Sequence, residues 1–239
     1  VEFVVTPYSY SLASVYSDTE AAEQLQAQQA QVKQLLGVES TTACLSELLY
    51  SDEIAIRLHK MGFKAVMTEG AKHILSWKSP NYVYSSSAAP KLKVLLRNTS
   101  LSDELAFHFS DPAWHNFPMD GEQYAMSIAG LPEEEQVVNI WVGAETFGLR
   151  QPATTGIFDF LKALPYFALE QGIGFMTPSE VAKKCAANDA VVVPYPLTWA
   201  GEAKDISTYN GNDLQQEALQ KLYAVAERVH LCQDKQLKH

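Results

Sequence analysis

The chain contains few cysteines, and they are widely spaced. Cys44, Cys185 and Cys232 are an odd number of residues with no CxxC spacing, so the sequence predicts neither a disulfide framework nor a zinc site. A reducing cytoplasm is the compartment that this pattern favours. The opening residues VEFVVTPYSY have no basic region followed by an apolar region, although a signal upstream of Val1 stays open.

Long apolar runs and an excess of basic residues are also missing. No run of about 18 apolar residues is present that would predict a membrane span. The 18 Lys and Arg against 28 Asp and Glu give a net charge of -10, which argues against nucleic acid or an anionic membrane as a partner. None of the six His recurs at an HxxxH spacing, so we predict no catalytic metal. We also expect no cofactor, and a neutral ligand such as a sugar fits this composition better.

What the sequence does contain is a regular alternation of strand-like and helical patterns. Its 239 residues are 47% hydrophobic and 19% charged, enough for one large domain or two small ones. Strand patterns are followed by helical patterns, with predicted strands over 1–5, 41–50, 63–67, 91–96 and 137–142 and helices over 17–36, 51–61, 102–109 and 155–171. This order predicts an α/β fold with parallel strands covered by helices.

The alternation stops near residue 191. A Pro-rich loop, VVVPYPLTWAG, follows, and a helical pattern then runs over 213–232. We therefore predict a (β/α) domain over 1–190 and a C-terminal loop and helical segment over 191–239 that packs on it. The sequence predicts no particular oligomeric state.

Glu69 is the first candidate for a catalytic group. It directly follows an apolar strand in GFKAVMTEGAKHIL, and barrel enzymes place catalytic side chains at the carboxyl ends of their strands. A Glu at this position is also favoured by a helix dipole alone, so position by itself leaves both interpretations open.

Two segments decide between these interpretations through a resemblance. GFKAVMTEG followed by SWKSPNYVY, and IWVGAETFGLRQPATTGIFDFLKALPYF, are similar to the third and fourth motifs of glycoside hydrolase family 57, the α-amylase-like enzymes. The resemblance implies that Glu69 is the nucleophile of a retaining mechanism. It also places Gly143 where the family has its general acid/base Asp, and glycine has no proton to give. Glu145 then serves as a support or sugar contact, or as a substitute acid.

Other family segments are altered in the same direction. TPYSYSLASVY resembles a segment in which a His lines the sugar site, and Tyr10 stands there. TTACLSELLYSDE resembles one with an Arg-Asn-Thr-Glu-Leu run, in which Cys44 and Leu45 replace the Arg and the Asn and Glu47 is the one residue of the polar set that is kept. Both changes are expected where a site no longer has to orient a substrate for cleavage.

Three more residues are candidates for sugar binding. Trp77 and Trp199 offer flat rings for pyranose faces, with core packing as the alternative for each. Asp103, in RNTSLSDELAFHFS, either contacts substrate or forms a helix N-cap together with Ser102.

The resemblance implies an incomplete seven-stranded (β/α) barrel with a peripheral C-terminal helical segment. The family's N-terminal strand with its His-Gln-Pro motif is absent from this sequence, so we expect either a fragment or a shortened relative.

The leading hypothesis for function is an α-1,4-glucan or maltooligosaccharide binding protein whose hydrolysis is reduced or lost. The alternative is an active retaining hydrolase or transglycosylase that uses Glu69. A metal-dependent polysaccharide deacetylase is a third and weaker hypothesis, because no His spacing supports it.

Overall fold

The computed structural model describes residues 1–232, and its centre is a mixed five-stranded sheet. The strands are short, and most of their residues are buried. They are β1 (Thr42–Cys44), β2 (Ala65–Glu69), β3 (Val83–Ser86), β4 (Lys93–Arg97) and β5 (Asp189–Val191), in the spatial order β1-β2-β4-β3-β5.

The parallel neighbours in this sheet follow the order of the chain. Val5 forms a single parallel bridge to Ala43 in β1, β1 pairs with β2, and β2 pairs with β4. At the end of β4, Arg97 forms a parallel bridge to Asn139. Five successive segments therefore lie side by side and run in one direction, which brings their carboxyl ends to one edge of the molecule.

β3 departs from this arrangement. It pairs antiparallel with β4 and parallel with β5, so the sheet is mixed rather than purely parallel. Its short connection to β4, over residues 87–92, is of the length that an antiparallel neighbour requires.

Ten α-helices surround the sheet in the described part of the chain. They are α1 (Ala13–Tyr16), α2 (Asp18–Leu36), α3 (Asp52–Lys60), α4 (Lys72–Leu75), α5 (Thr99–Asp103), α6 (Gly121–Ala129), α7 (Ile157–Glu170), α8 (Pro178–Lys184), α9 (Ser207–Asn210) and α10 (Asp213–Leu231). The two longer helices predicted near the N-terminus are confirmed with their signals, since Ser17 caps α2 and Ser51 caps α3. Gly37 ends α2 in the left-handed region at φ 69°.

The core has a large part under the sheet and a smaller part beside it. The large cluster includes Val5, Leu49, Phe63 and Val94, all fully buried. The smaller one lies between α6 and α7 and contains Tyr124 and Phe160, whose rings meet edge-on at 5.5 Å.

Three predictions of secondary structure are wrong. Residues 1–5 form one bridge instead of a strand, because only Val5 reaches β1. Residues 137–142 likewise contribute the single bridge of Asn139. Over 102–109 the helix begins earlier, at Thr99, and continues as a π-helical turn over Glu104–His108. The capping side chain is Asn98, which accepts a hydrogen bond from the Leu101 amide at 2.9 Å, and not Ser102 or Asp103.

The predicted C-terminal helix is confirmed as α10, and it contacts the N-terminal part of the chain. The ring of Tyr223 stacks on Tyr16 at 5.1 Å, and Asn210 donates a hydrogen bond to the Tyr16 hydroxyl. Residues 233–239 of the predicted C-terminal segment lie outside the described residues. Over residues 1–232, no helix combines the length and apolarity that spanning a bilayer requires.

Candidate active site

The last residues of β2 and β4 place two oppositely charged side chains side by side. Glu69 ends β2, and its partner in the strand register is Arg97, which ends β4. Glu69 is 1% exposed and Arg97 is 2% exposed. Neighbouring parallel strands direct matched residues to the same face, so the register itself brings these two side chains together.

Both oxygens of the Glu69 carboxylate are occupied by hydrogen-bond donors. Arg97 Nη1 donates to Oε2 at 3.1 Å, and the Thr99 hydroxyl donates a short hydrogen bond to Oε1. A carboxylate held on both oxygens is well oriented. Each carboxylate oxygen keeps a further lone pair, so these hydrogen bonds orient the group without blocking it.

Arg97 also binds a second carboxylate. Its Nη2 donates to Asp103 Oδ1 at 2.5 Å, and its Nε donates to the Trp141 carbonyl oxygen at 2.9 Å. One guanidinium thus connects Glu69 and Asp103, with three of its donors satisfied by fixed acceptors. Asp103 therefore lies at this site as an ion-pair partner, and the helix-cap interpretation is wrong.

Two tryptophans cover this buried cluster. Trp199 lies over the Arg97 guanidinium at 5.8 Å, a cation–π contact. Its ring is 6.1 Å from that of Trp141 and is stacked on Phe107 at 6.4 Å. Trp199 is therefore part of the site rather than of the hydrophobic core.

Glu47 lies on the other side of Trp199. The indole N–H of Trp199 donates to Glu47 Oε2 at 2.7 Å, and the Tyr10 hydroxyl accepts a hydrogen bond from the Glu47 amide at 3.4 Å. Burial raises the pKa of Tyr209, and its hydrogen bond to the Glu47 carboxylate adds to the rise. Burial likewise raises the pKa of Tyr10. Glu47 is thus surrounded by aromatic hydrogen-bonding groups.

The backbone is strained at this corner of the site. Tyr10, Glu47 and Leu48 have φ values of 51°, 57° and 55°, in the left-handed region that side chains other than glycine rarely adopt. Such strain costs of order 1–3 kcal/mol for each residue and is found mainly at functional sites. Tyr10 and Glu47, which the sequence predicts as sugar contacts, therefore both have strained backbone conformations.

Gly143 and Glu145 lie side by side, but a turn brings them together and not the strand that was predicted. Residues Ala144–Thr146 form a 3-10 turn, so the strand alternation expected to align 143 with 145 is absent. The turn instead folds Glu145 back, and a Cβ added at Gly143 would overlap both Glu145 carboxylate oxygens. The Glu145 carboxylate occupies the space into which a side chain at 143 would extend.

A chain of contacts connects Glu145 with the buried cluster. Glu145 Oε1 accepts from Arg150 at 3.3 Å, and the Arg150 guanidinium lies over the Phe107 ring at 4.9 Å. Phe107 in turn stacks on Trp199. Glu145 itself is exposed, so it lies at the outer edge of the site and Glu69 lies at its base.

Trp77 and the altered run near Cys44 complete the set of predicted positions. Trp77 follows α4 and is 86% exposed, so core packing is wrong for this residue. Burial raises the pKa of the Cys44 thiol to about 12. The thiol therefore stays protonated at neutral pH and packs as a small apolar side chain. Among the described residues, the buried Ser46 hydroxyl has no hydrogen-bond partner.

Four residues of the site were missed by sequence reasoning. Arg97 ends the apolar run KVLLR, and that position after a strand is the signal that marks it. Thr99 lies two residues further on. Trp141 and Tyr209 carry no local signal, because they reach the site only through the tertiary fold.

The family of the chain follows from comparison with known proteins. The model of the family described as Glycosyl hydrolase family 57 matches residues 1–194. The chain belongs to this family. A family 57 protein of Methanocaldococcus jannaschii, provisionally named an α-amylase, is 34% identical over 226 residues, which are 93% of this chain and 48% of that relative. The chain thus spans about half the length of this curated relative.

Solved structures of family 57 enzymes share the fold. A branching enzyme from Thermococcus kodakaraensis, determined in complex with glucose, matches with a TM-score of 0.72 at 13% identity, over 96% of this chain and 55% of that one. The 4-α-glucanotransferase of Thermococcus litoralis matches with a TM-score of 0.63 at 18% identity, over 83% of this chain and 29% of that one. These likenesses place the chain in the family's α/β fold with a mixed sheet and surrounding helices.

The site contains no evident metal centre. Across residues 1–232, no three His, Cys, Asp or Glu side chains are grouped so that they would hold a metal ion. The carboxylates of Glu69 and Asp103 instead share the Arg97 guanidinium.

Proposed function

We propose that this family 57 protein binds α-1,4-glucans and hydrolyses them weakly or not at all. The observation that carries the proposal is Gly143, which has no acid group and stands where the resemblance places the family's general acid/base. Loss of general acid catalysis alone costs about 10²–10⁴-fold in rate. The nucleophile is present, but the proton donor at the family's position is not.

Glucan binding is the part of the family's function that these changes leave possible. The exposed Tyr10, the half-buried Trp199 and the carboxylate of Glu47 lie together, and aromatic faces beside acceptor groups suit a pyranose. Relatives named as an α-amylase, a branching enzyme and a glucanotransferase favour an α-glucan as the ligand. Trp77 is proposed as a further, exposed platform.

The described sheet fits part of a larger barrel. We propose that the five parallel segments that begin at Val5 and end near Asn139 belong to the incomplete seven-stranded barrel of the family. Residues 1–190 then form this domain, and residues 191–239 form a segment that packs on it. The contact of Tyr16 with Tyr223 supports that packing.

The second candidate function is a working retaining hydrolase or transglycosylase. One observation favours it, namely that the Glu145 carboxylate lies over Gly143, in the space of the missing side chain. In this mechanism Glu69 attacks the anomeric carbon and Glu145 protonates the leaving oxygen.

Calorimetric titration with maltoheptaose, together with fluoride release from α-maltosyl fluoride, tests the proposal. Fluoride leaves without protonation, so this substrate reports on the nucleophile alone. We expect binding with little or no cleavage of maltoheptaose. Rapid cleavage of maltoheptaose that disappears in both Glu69→Gln and Glu145→Gln would favour the second candidate, and absence of binding would contradict both.

A further inference from the structure

A cavity outside the Glu69 site opens beside α6. Its volume is about 330 Å³, near the lower end of the roughly 300–1,000 Å³ range of small-molecule pockets. Buried side chains of Glu104, Met119 and Tyr124 form its floor, and exposed residues of the loop before α6 and of α6 itself form its rim.

The floor contains a carboxylate with one oxygen available. Glu104 is 7% exposed, and its Oε1 accepts hydrogen bonds from Trp114 Nε1 at 2.9 Å and from Asn116 Nδ2. Oε2 accepts no hydrogen bond from any described residue, yet it is not among the sealed, unpartnered buried atoms. A buried carboxylate oriented by two donors, with its second oxygen open to a cavity, is prepared to accept a hydrogen bond from a ligand.

The backbone below this carboxylate is unusual. Glu104 begins the π-helical turn Glu104–His108 that follows α5, and π-helical turns occur frequently at functional sites. The preceding residue, Asp103, binds Arg97 in the Glu69 site. Asp103 and Glu104 are consecutive in the chain, yet the Asp103 carboxylate lies in the Glu69 site and the Glu104 carboxylate lies at the cavity.

The remaining lining defines the ligand class. Among the described residues, no Lys or Arg lines the cavity, which disfavours phosphates and carboxylates as ligands. The other polar groups are the amides of Asn116 and Gln123, the hydroxyl of Ser127 and the imidazole of His115, and Phe117 with Met126 adds apolar surface. Hydroxyl donors for Glu104, hydroxyl acceptors for the amides and one apolar face are together the features of a pyranose.

We propose that this cavity is a second carbohydrate site, with Glu104 Oε2 accepting hydrogen bonds from the hydroxyls of a short α-glucan such as maltose. The assignment rests on the proposed function for the ligand class, but it concerns a different site.

Two indole N–H groups report separately on the two sites. Trp114 Nε1 binds Glu104 at the cavity, and Trp199 Nε1 binds Glu47 at the Glu69 site. Their ¹H–¹⁵N signals, assigned with Trp114→Phe and Trp199→Phe, are followed during titration with maltose. We expect the Trp114 signal to shift in a saturable way.

Ser127→Phe fills the cavity from its exposed rim, and Ala129→Phe is the matched control on the same helix outside the lining. We expect Ser127→Phe to raise the apparent dissociation constant for maltose, measured from the Trp114 signal, at least tenfold. The dissociation constant measured from the Trp199 signal should stay unchanged. Ala129→Phe should alter neither signal's titration. Glu104→Gln, which keeps the shape of the side chain, should weaken the Trp114 response as well.

Each result decides the matter. If maltose shifts the Trp199 signal and not the Trp114 signal, the second site is overturned and the proposed function stands. If maltose shifts the Trp114 signal and not the Trp199 signal, the second site stands and the proposed function is overturned. A Trp114 response that survives Ser127→Phe overturns the cavity as its origin. A response to tetramethylammonium but not to maltose makes the cavity a cation site and overturns the sugar assignment.

Discussion

At the scale of single residues, the proposed function attributes weak hydrolysis to the absence of an acid group at position 143. The backbone there is ordinary, with φ −67° and ψ 146°, so a side chain is tolerated by the main chain. The obstacle to a side chain is the Glu145 carboxylate, which is the end of a flexible group and is able to move aside. The fold therefore does not require glycine at position 143, and a side chain can be introduced there to test the proposal.

Gly143→Asp should raise the cleavage of maltoheptaose. A carboxyl group at this position supplies the general acid, and we expect a gain of about 10²-fold or more. The measurement is the rate at which new reducing ends form. Gly143→Asn has the same size without the acid and should give no gain, and an equal gain in both variants would contradict the proposed cause.

Arg97 is the second residue on which the site depends. Replacing it with Met leaves the buried Glu69 carboxylate and the partly buried Asp103 without their shared partner. Breaking a buried pair in this way costs about 3–5 kcal/mol, and urea unfolding should show this loss in the free energy of unfolding.

A matched control is available on the surface. Lys78→Met removes the partner of Asp189 in an exposed ion pair, where the expected loss is only about 0–1 kcal/mol. Adding Glu69→Gln to Arg97→Met should recover part of the stability, because one stranded charge is gone. Equal losses for Arg97→Met and Lys78→Met would show that the buried pair is unimportant to stability.

At the scale of elements, α6, which lines the proposed second site, packs closely against α7. Gly121 begins α6 and faces the backbone of α7. A Cβ at this position would lie 2.9 Å from the Leu164 amide nitrogen, and main-chain atoms within a helix cannot yield as a side chain can. Only glycine allows this separation of the two helices.

Gly121→Ala should therefore destabilise the protein by about 1–3 kcal/mol, the range observed when cores are overpacked. Gly174→Ala is the control, since nothing lies within 4 Å of a Cβ built there, and it should change stability by at most about 0.5 kcal/mol. Thermal unfolding of the two variants makes the comparison. A neutral Gly121→Ala would mean that α6 and α7 separate without cost.

At the scale of the whole molecule, Glu2 connects β1 with α8, two elements that are far apart in the chain. Its carboxylate accepts hydrogen bonds from the Thr42 hydroxyl at 2.7 Å and from the Ser179 amide at 2.8 Å. Burial acts to raise the pKa of Glu2, but these hydrogen bonds together outweigh it and hold the pKa below its usual 4.5. The folded state thus prefers the ionised form.

The sign of the pH dependence follows from this lowered pKa. The stabilisation is fully present above the unfolded pKa of about 4.5 and is lost as the pH falls through the lower folded value. Glu2→Gln should therefore lower stability at pH 7 and reduce its decline below pH 4.5. Urea unfolding between pH 3 and 7, roughly spanning this window, measures it. Glu53→Gln, at an exposed position on α3, is the control and should leave the profile unchanged.

The family and the main helices and strands were predictable from the sequence because short local patterns determine them. The helix signals at Ser17, Gly37 and Ser51 act over a few residues, and the structure has helix boundaries at each of them. Membership of family 57 followed from short motifs such as those around Glu69 and ETFG, and the match over residues 1–194 confirms it. The roles of Glu69, Gly143 and the other predicted site residues stay predictions.

Only the tertiary structure decided which side chains contact one another at the site and which predicted strands form only a single bridge. Strand pairing, which joins residues far apart in sequence, brings Arg97 beside Glu69 and leaves residues 1–5 and 137–142 with one bridge each. Trp141, Trp199 and Tyr209 reach the site from loops and a short helix. Sequence patterns report contacts within about one or two turns of the chain, and these contacts span tens to more than a hundred residues, so they depend on packing that no local pattern encodes.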